Sequence, residues 1–487
     1  MSILNTLHRT KDNANADQHQ KTSPSAGLPT TFQPFVSRIT LPARRALPAL
    51  ALATIPFCVL CFCAAVSDLR AFPGRDLRPK VAGARLLAAG MDPYDFRSPP
   101  PNGEYFRTNN LISFTPGLLL LYVPLSAYPY ETQRTIYFCL DWLFAAAAFY
   151  LLQRSFCRAR HEKYLCWLVY CVFIICSYSY RLHLERGQYY VLLTLLTCCT
   201  ADSVKNKRTD WLSCVPSALL LILRPTYGLL LLVATICLGA RKWTMRVSMI
   251  TFLFFLITLH FGGVEHWFGF LQVAHQERIA ALEGAMKGCG QKYYVPPSPK
   301  QLVDVVDGVN YHTGNSSNAV SGTLIGLYKS QSLGMCRVLS PIWIDGLNSV
   351  CLLTVLAGGL LIVLMARSRR VSANILIAYM LLWPMILEIF SPERYFYTAV
   401  MEIVPFIVVV FDKDELTSDA HETLKFFAFV SIVVLGVLSP VVYQVFRNSK
   451  QIATTTSAII LLVFPLVMTG HCVYCIATSS KTAHDPC

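Results

Sequence analysis

The chain has 487 residues, of which 54% are hydrophobic and only 14% charged, with a mean hydropathy of +0.46. A soluble protein of this size carries about 25% charged residues, and apolar runs of about 17–25 residues, each able to cross a bilayer as a helix, recur throughout. A soluble enzyme is excluded. The net charge of +14 does not point to nucleic acid, because the cations sit in short clusters between apolar runs, as in cytoplasmic loops of membrane proteins.

Residues 1–45 are polar and aperiodic, which predicts a disordered cytoplasmic tail. No apolar core follows a basic start early enough for a signal peptide. Arg44 and Arg45 precede the first span, about 46–66, and place the N-terminus in the cytoplasm and the polar run Asp68–Asn110 outside. The apolar segment Leu111–Tyr128 is broken by Pro116, Gly117 and Pro124. Were it to cross, the cations from Arg154 to Lys163 would lie outside, so an interfacial or re-entrant segment is expected, with the next span at about 132–152. Further spans are expected at about 164–180, 188–203, 211–223, 225–240, 246–263, 341–366, 371–390, 395–411, 423–446 and 452–476. The sum is an all-α, polytopic helical membrane protein of about twelve spans with both termini cytoplasmic. Its outer loops fall at about 67–131 and 264–340, and positions 266–286 could form an interfacial helix.

Most of the 18 cysteines lie in apolar runs, as Cys58, Cys61, Cys63, Cys171, Cys176, Cys198 and Cys199 do, where Cys behaves as a small hydrophobe. Cys289 and Cys336 share the large outer loop and could pair. No cofactor is expected, and no residue set indicates a divalent metal.

Chemistry is expected in the first outer loop. Asp76 could act as a general base beside a low-dielectric wall, or cap a helix running from Leu77 to Ala89 and stopped by Gly90. That helix would carry an apolar stripe at Leu77, Val81, Ala84 and Ala88, suited to the bilayer surface. Arg78 and Lys80 could hold a lipid phosphate or merely touch anionic head groups, the latter being the better account of Arg85. Arg181 to Gln188 form a short outer link, in which Arg181 reads as a solvated turn residue and Gln188, entering a span, as a buried polar group in need of a partner. Arg224, between apolar runs, is either an intramembrane functional cation or a snorkelling one. Ser391 to Tyr397 return Glu393, Arg394 and Tyr395 to the outer face, as a site wall or as an aromatic belt with a local ion pair. The run Asp412 to Glu415 reads as a solvated cytoplasmic loop, and Asp304 and Asp307 lack metal-ligand company.

The order of these pieces resembles glycosyltransferase family 87. Asp76-Leu77, then Leu86 to Asp95 (Leu-Leu-Ala-Ala-Gly-Met-Asp-Pro-Tyr-Asp) and Phe114-Thr115-Pro116, resemble that family's first outer loop. Gly187-Gln188 resembles its Gly-Gln, Arg224-Pro225 its Lys-Pro, Asn315 to Gly322 its Asn-x-Ser loop, and Ser391-Pro392 its late Ser-Pro. Phe-Thr-Pro departs from the usual aromatic-Pro-Pro, and Glu393-Arg394-Tyr395 from Trp-Asp-His. The resemblance implies a GT-C membrane glycosyltransferase over residues 46–480, in a bacterial plasma membrane. It would move a sugar, often mannose, from a polyprenyl-phosphate donor to a lipid-linked or glycan acceptor on the outer face, with inversion. Asp76 would be the general base; Arg78, Lys80, Arg224 and Arg394 would meet the donor phosphate; Tyr94, Gln188, Glu393 and Tyr395 would contact substrate. The competing classes are a flippase for a lipid-linked saccharide, which would spread polar residues along the midplane, and a polysaccharide polymerase or ligase. The latter would favour more arginines than Arg278 and Arg337 in the large loop.

Overall fold

The computed structural model describes residues 41–71, 76–94, 114–237, 239–287, 373–389, 399–412 and 419–434, with isolated positions between and beyond them. Among the described residues the chain is helical, without strands. The first helix, α1 (Leu41–Ala71), begins inside the stretch expected to be a tail; residues 1–40 lie outside the described residues. A short helix α2 (Leu77–Ala88) follows, then α3 (Pro116–Tyr122) with a 3-10 turn (Val123–Leu125), and α4 (Tyr130–Phe156). Next come α5 (Arg160–Tyr170), running into a π turn (Cys171–Ile175), then α6 (Tyr178–Arg186), α7 (Tyr190–Lys205), α8 (Trp211–Leu223) and α9 (Pro225–Cys237). The set closes with α10 (Arg241–Lys287), α11 (Ala373–Ile389), α12 (Ala399–Val410) and α13 (Asp419–Val433).

Three stretches, Ala46–Leu69, Tyr130–Phe156 and Arg241–Ala274, are long and apolar enough to cross a membrane. Their outward side chains, such as Leu52, Phe57, Leu60, Leu143, Phe252 and Leu253, are exposed, as a lipid-facing surface requires. The segment expected to be interfacial holds a short helix. Together α3 and its 3-10 turn run about 15 Å, half the thickness of a hydrocarbon core, and they end at Leu125. Thr115 caps α3 by accepting from the Leu118 N–H at 3.1 Å and anchors it to α8 by donating to the Ile222 carbonyl at 3.1 Å.

At the centre is α7, which touches α4, α8, α11 and α12. Its sequence of Leu, Val, Thr, Cys and Ala suits burial on every side: Val191, Leu193, Cys198 and Ala201 are in the core, and the buried hydroxyls of Thr194 and Thr200 donate to carbonyls one turn back. Cys166, Cys171 and Cys198 are buried as small hydrophobes, and the described cysteines are free; Cys289 and Cys336 lie outside the described residues.

The helix α2 does not lie on a surface with one buried stripe. Leu77 and every residue from Pro79 to Arg85 are buried, as is Leu87, while Ala88 is exposed. Two neighbours cause this. The roof is α3, and α10 closes the side, broken at Gly263 by a backbone of φ 69 and ψ −177. Beyond that break, Gly269 lets Tyr94 approach closely, and Tyr94, Leu87, Ile112, Leu119 and Val273 make a second small core.

Gly187 ends α6 in the left-handed region, φ +68 and ψ 52, and the Gln188 N–H returns to the His183 carbonyl at 3.1 Å. A Cβ on Gly187 would lie 2.6 Å from that of Leu77. Gly187→Ala is therefore expected to be destabilised by roughly 1–2 kcal/mol of left-handed strain and further by a collision with α2, and so to melt at a lower temperature in detergent. Gly90→Ala, at φ +70 with open space around it, should suffer only the strain. Equal melting shifts for the two would show that the close approach of α2 is misplaced.

Candidate active site

The C-terminus of α6 and the N-terminus of α2 meet end to end: the Asp76 N–H donates to the Arg186 carbonyl at 2.9 Å. Helix ends carry partial charge, positive at the N-terminus and negative at the C-terminus. An anion, Asp76, stands at the first, and a cation, Lys80, reaches the second.

Asp76 occupies the N-cap position of α2, yet its side chain makes no capping hydrogen bond. The carboxylate is turned away. Its Oδ2 accepts from the Gln188 side-chain amide and from Arg186 Nη1 at 3.2 Å. Among the described residues Oδ1 carries no hydrogen bond, which leaves lone pairs for an incoming hydroxyl. The cap expected from the sequence is thus not what holds Asp76.

Lys80 is completely buried. Its three ammonium protons have three acceptors: the carbonyls of Asp76 at 2.9 Å and Gly187 at 2.8 Å, and Gln188 Oε1 at 3.4 Å. The rings of Phe114 and Tyr189 lie 4.8 and 5.4 Å from the nitrogen. Expected as a phosphate ligand, Lys80 is instead a strut that ties α2 to the Gly187–Gln188 turn, with its donors spent. The same contacts orient the Gln188 amide, oxygen toward Lys80 and nitrogen toward Asp76.

Arg78 is exposed on the opposite side of α2, its guanidinium 5.4 Å from the Tyr130 ring centroid. Arg85 is buried, donating to the carbonyls of Ser126 and Tyr128 at 3.1 Å each, so it fastens α2 to the loop before α4 and does not touch head groups. Arg181 is exposed, as expected, but lies in α6 and not in a turn. It forms a two-pronged ion pair with Asp68 at the end of α1, at 2.7 and 3.1 Å. Arg224 caps α8 and reaches the Tyr190 and Tyr189 hydroxyls at 3.1 and 3.4 Å, which brings it toward the Gln188 turn. Tyr94 is buried, donates to the Phe114 carbonyl at 2.5 Å and packs beside His266 and Phe270, so it braces the loop. Glu393, Arg394 and Tyr395 lie outside the described residues.

Beneath this junction lies a cavity of about 240 Å³. Leu69, Leu77, Leu121, Phe138, Phe144, Leu192 and Leu223 make its wall mostly apolar; Arg134, Asp141 and Gln188 are its strongly polar members. Asp76 joins it through Gln188. Sequence reading passed over Arg134, Asp141, His183 and Arg186. A carboxylate inside the apolar run of α4 was the available signal for Asp141.

Burial lowers the Lys80 ammonium from an ordinary value of 10.5 to about 8, against the opposing pull of Asp76 and Asp141. Between these two values the unfolded chain holds a proton that the folded chain has released. Lys80 thus makes folding more favourable as pH rises from 8 to 10.5, by about 3 kcal/mol at most. Lys80→Met should remove that limb from a series of melting temperatures against pH. Parallel curves for the two proteins would mean that the ammonium is hydrated.

No curated protein and no solved structure matches the chain. The family model described as Glycosyltransferase family 87 matches residues 113–296, from the start of α3 through α10, a stretch that includes Gln188, Arg224 and Asp141 and begins after Asp76. That stretch carries the pattern of glycosyltransferase family 87, and the match supports glycosyltransferase activity in a chain with membrane-spanning helices.

Proposed function

We propose that the protein is a GT-C type glycosyltransferase of about twelve spans that moves a sugar, mannose in the first instance, from a polyprenyl-phosphate donor to a lipid-linked or glycan acceptor. Transfer takes place on the outer face of a bacterial plasma membrane, with both termini cytoplasmic. One observation carries the reading: the Asp76 carboxylate is held off its own helix end by Arg186 and by Gln188, a residue that lines an apolar cavity.

The chemistry follows from that placement. Oδ1 of Asp76 takes the proton of the acceptor hydroxyl as its oxygen attacks the anomeric carbon. The bond to the phosphate oxygen breaks on the opposite face, which inverts the configuration and releases polyprenyl phosphate. Arg224, on the tyrosines that follow Gln188, and Arg78, exposed in the first turn of α2, meet the leaving phosphate. Lys80 contributes by holding the Gln188 amide in register. Leu121 lines the cavity and is also exposed on the outside of the helices, so a prenyl chain has an apolar entry.

Asp76→Asn keeps the shape and removes the base. It should cut sugar transfer from polyprenyl-phosphate mannose by about 10²–10⁴-fold, at equal protein level in membranes. Full activity in the variant would remove Asp76 from the chemistry. Arg224→Gln should raise the KM for donor by roughly tenfold, with a smaller change in kcat. An unchanged KM would place the phosphate elsewhere.

A further inference from the structure

We propose that Asp141 binds hydroxyl groups of the transferred sugar inside the cavity, and that His183 is the positioning residue behind it; this rests on the donor reading above. Asp141 stands eleven residues into α4, about 16 Å along the helix axis, where an ionised carboxylate is costly and needs a purpose. It lines the same cavity as Gln188, whose amide holds Asp76. Beside it is His183, whose Nε2 lies 3.5 Å from Asp141 Oδ2. The His183 side chain is entirely buried, and neither ring nitrogen has a hydrogen-bond partner among the described residues. Tyr137, one turn before Asp141 on the same face of α4, also lines the cavity, and its buried hydroxyl is likewise without a partner.

Buried polar groups left unpaired cost stability that a ligand recovers. The chemistry of this set selects the ligand. A carboxylate only accepts, so it repels a phosphate and gains nothing from a prenyl chain. A sugar offers several hydroxyl donors close together, and the Tyr137 hydroxyl can donate to a ring or hydroxyl oxygen in return. Of the three parts of the donor, the sugar is the one that suits Asp141.

The test compares two lipids, polyprenyl phosphate and the same lipid carrying mannose, glucose or galactose, whichever wild type transfers. Their affinities for the full-length protein in nanodiscs are measured for wild type, Asp141→Asn and His183→Gln. Asp141→Asn is expected to weaken the sugar-bearing lipid by about tenfold or more and to leave the bare lipid unchanged, which also reports that the variant is folded. His183→Gln should show the same selective loss at smaller size. Equal losses for both lipids would assign the pair to the fold alone, and no loss would place the sugar elsewhere; either result overturns the inference while sparing the donor reading. Wild type that binds neither lipid overturns both.

Discussion

A single buried ammonium organises the functional end of this molecule. Lys80 is cut off from water, and the free energy of burying its charge is offset only if every proton finds an acceptor. Those acceptors come from two places far apart in sequence, the start of α2 and the Gly187–Gln188 turn. The chain can satisfy Lys80 only by bringing the ends of α2 and α6 together. Once it does, the Gln188 amide has one orientation, and the Asp76 carboxylate is drawn off its helix onto that amide. The left-handed Gly187, with Leu77 against its α-carbon, lets the two backbones come this close.

Much of the frame was legible in the residues. Hydrophobic length located the three long apolar helices. The helix stop near Gly90 followed from glycine itself, whereas the link expected from Arg181 to Gln188 is mostly the helix α6, ended by Gly187. The bounds of α8 fell where apolar length put them, at 211 and 223. Individual contacts were harder to read. Asp76 followed by a proline-bearing helix looks like a cap, and only the arrival of Gln188 from 112 residues later redirects it. Lys80 looks like a surface cation because sequence carries no sign of Phe114 and the turn from Gly187 to Tyr189 closing over it. Arg85, read as touching head groups, and Arg181, read as a solvated turn residue, are tethers whose partners at Ser126, Tyr128 and Asp68 belong to other elements. Asp141 needed only the rule that ionisable groups are rare inside spans, applied to a helix whose apolar residues drew attention away from it.

Charge around the site comes from separate elements. Asp76 and Arg78 stand at the start of α2, Arg224 at the end of α8 and Asp141 within α4, where it lines the cavity with Gln188. A dry wall strengthens each of these charges relative to water. The glycosyltransferase family 87 match covers α3 through α10, which supply Gln188, Arg224 and Asp141, whereas Asp76 lies in the segment ahead of it.

The Lys80 junction also sets a timetable for biosynthesis. Asp76 and Lys80 leave the ribosome 107 or more residues ahead of the turn that receives them, a delay of roughly 5–20 s at ordinary translation rates. Through that interval α1 has already entered the bilayer, while α2 carries a charge that neither lipid nor its own helix can neutralise. It must wait in the wet interfacial layer until α6 and α7 have been threaded. The site is therefore assembled late, by docking an early segment onto a later hairpin, and a nascent chain halted before α6 would hold its spans but no working junction.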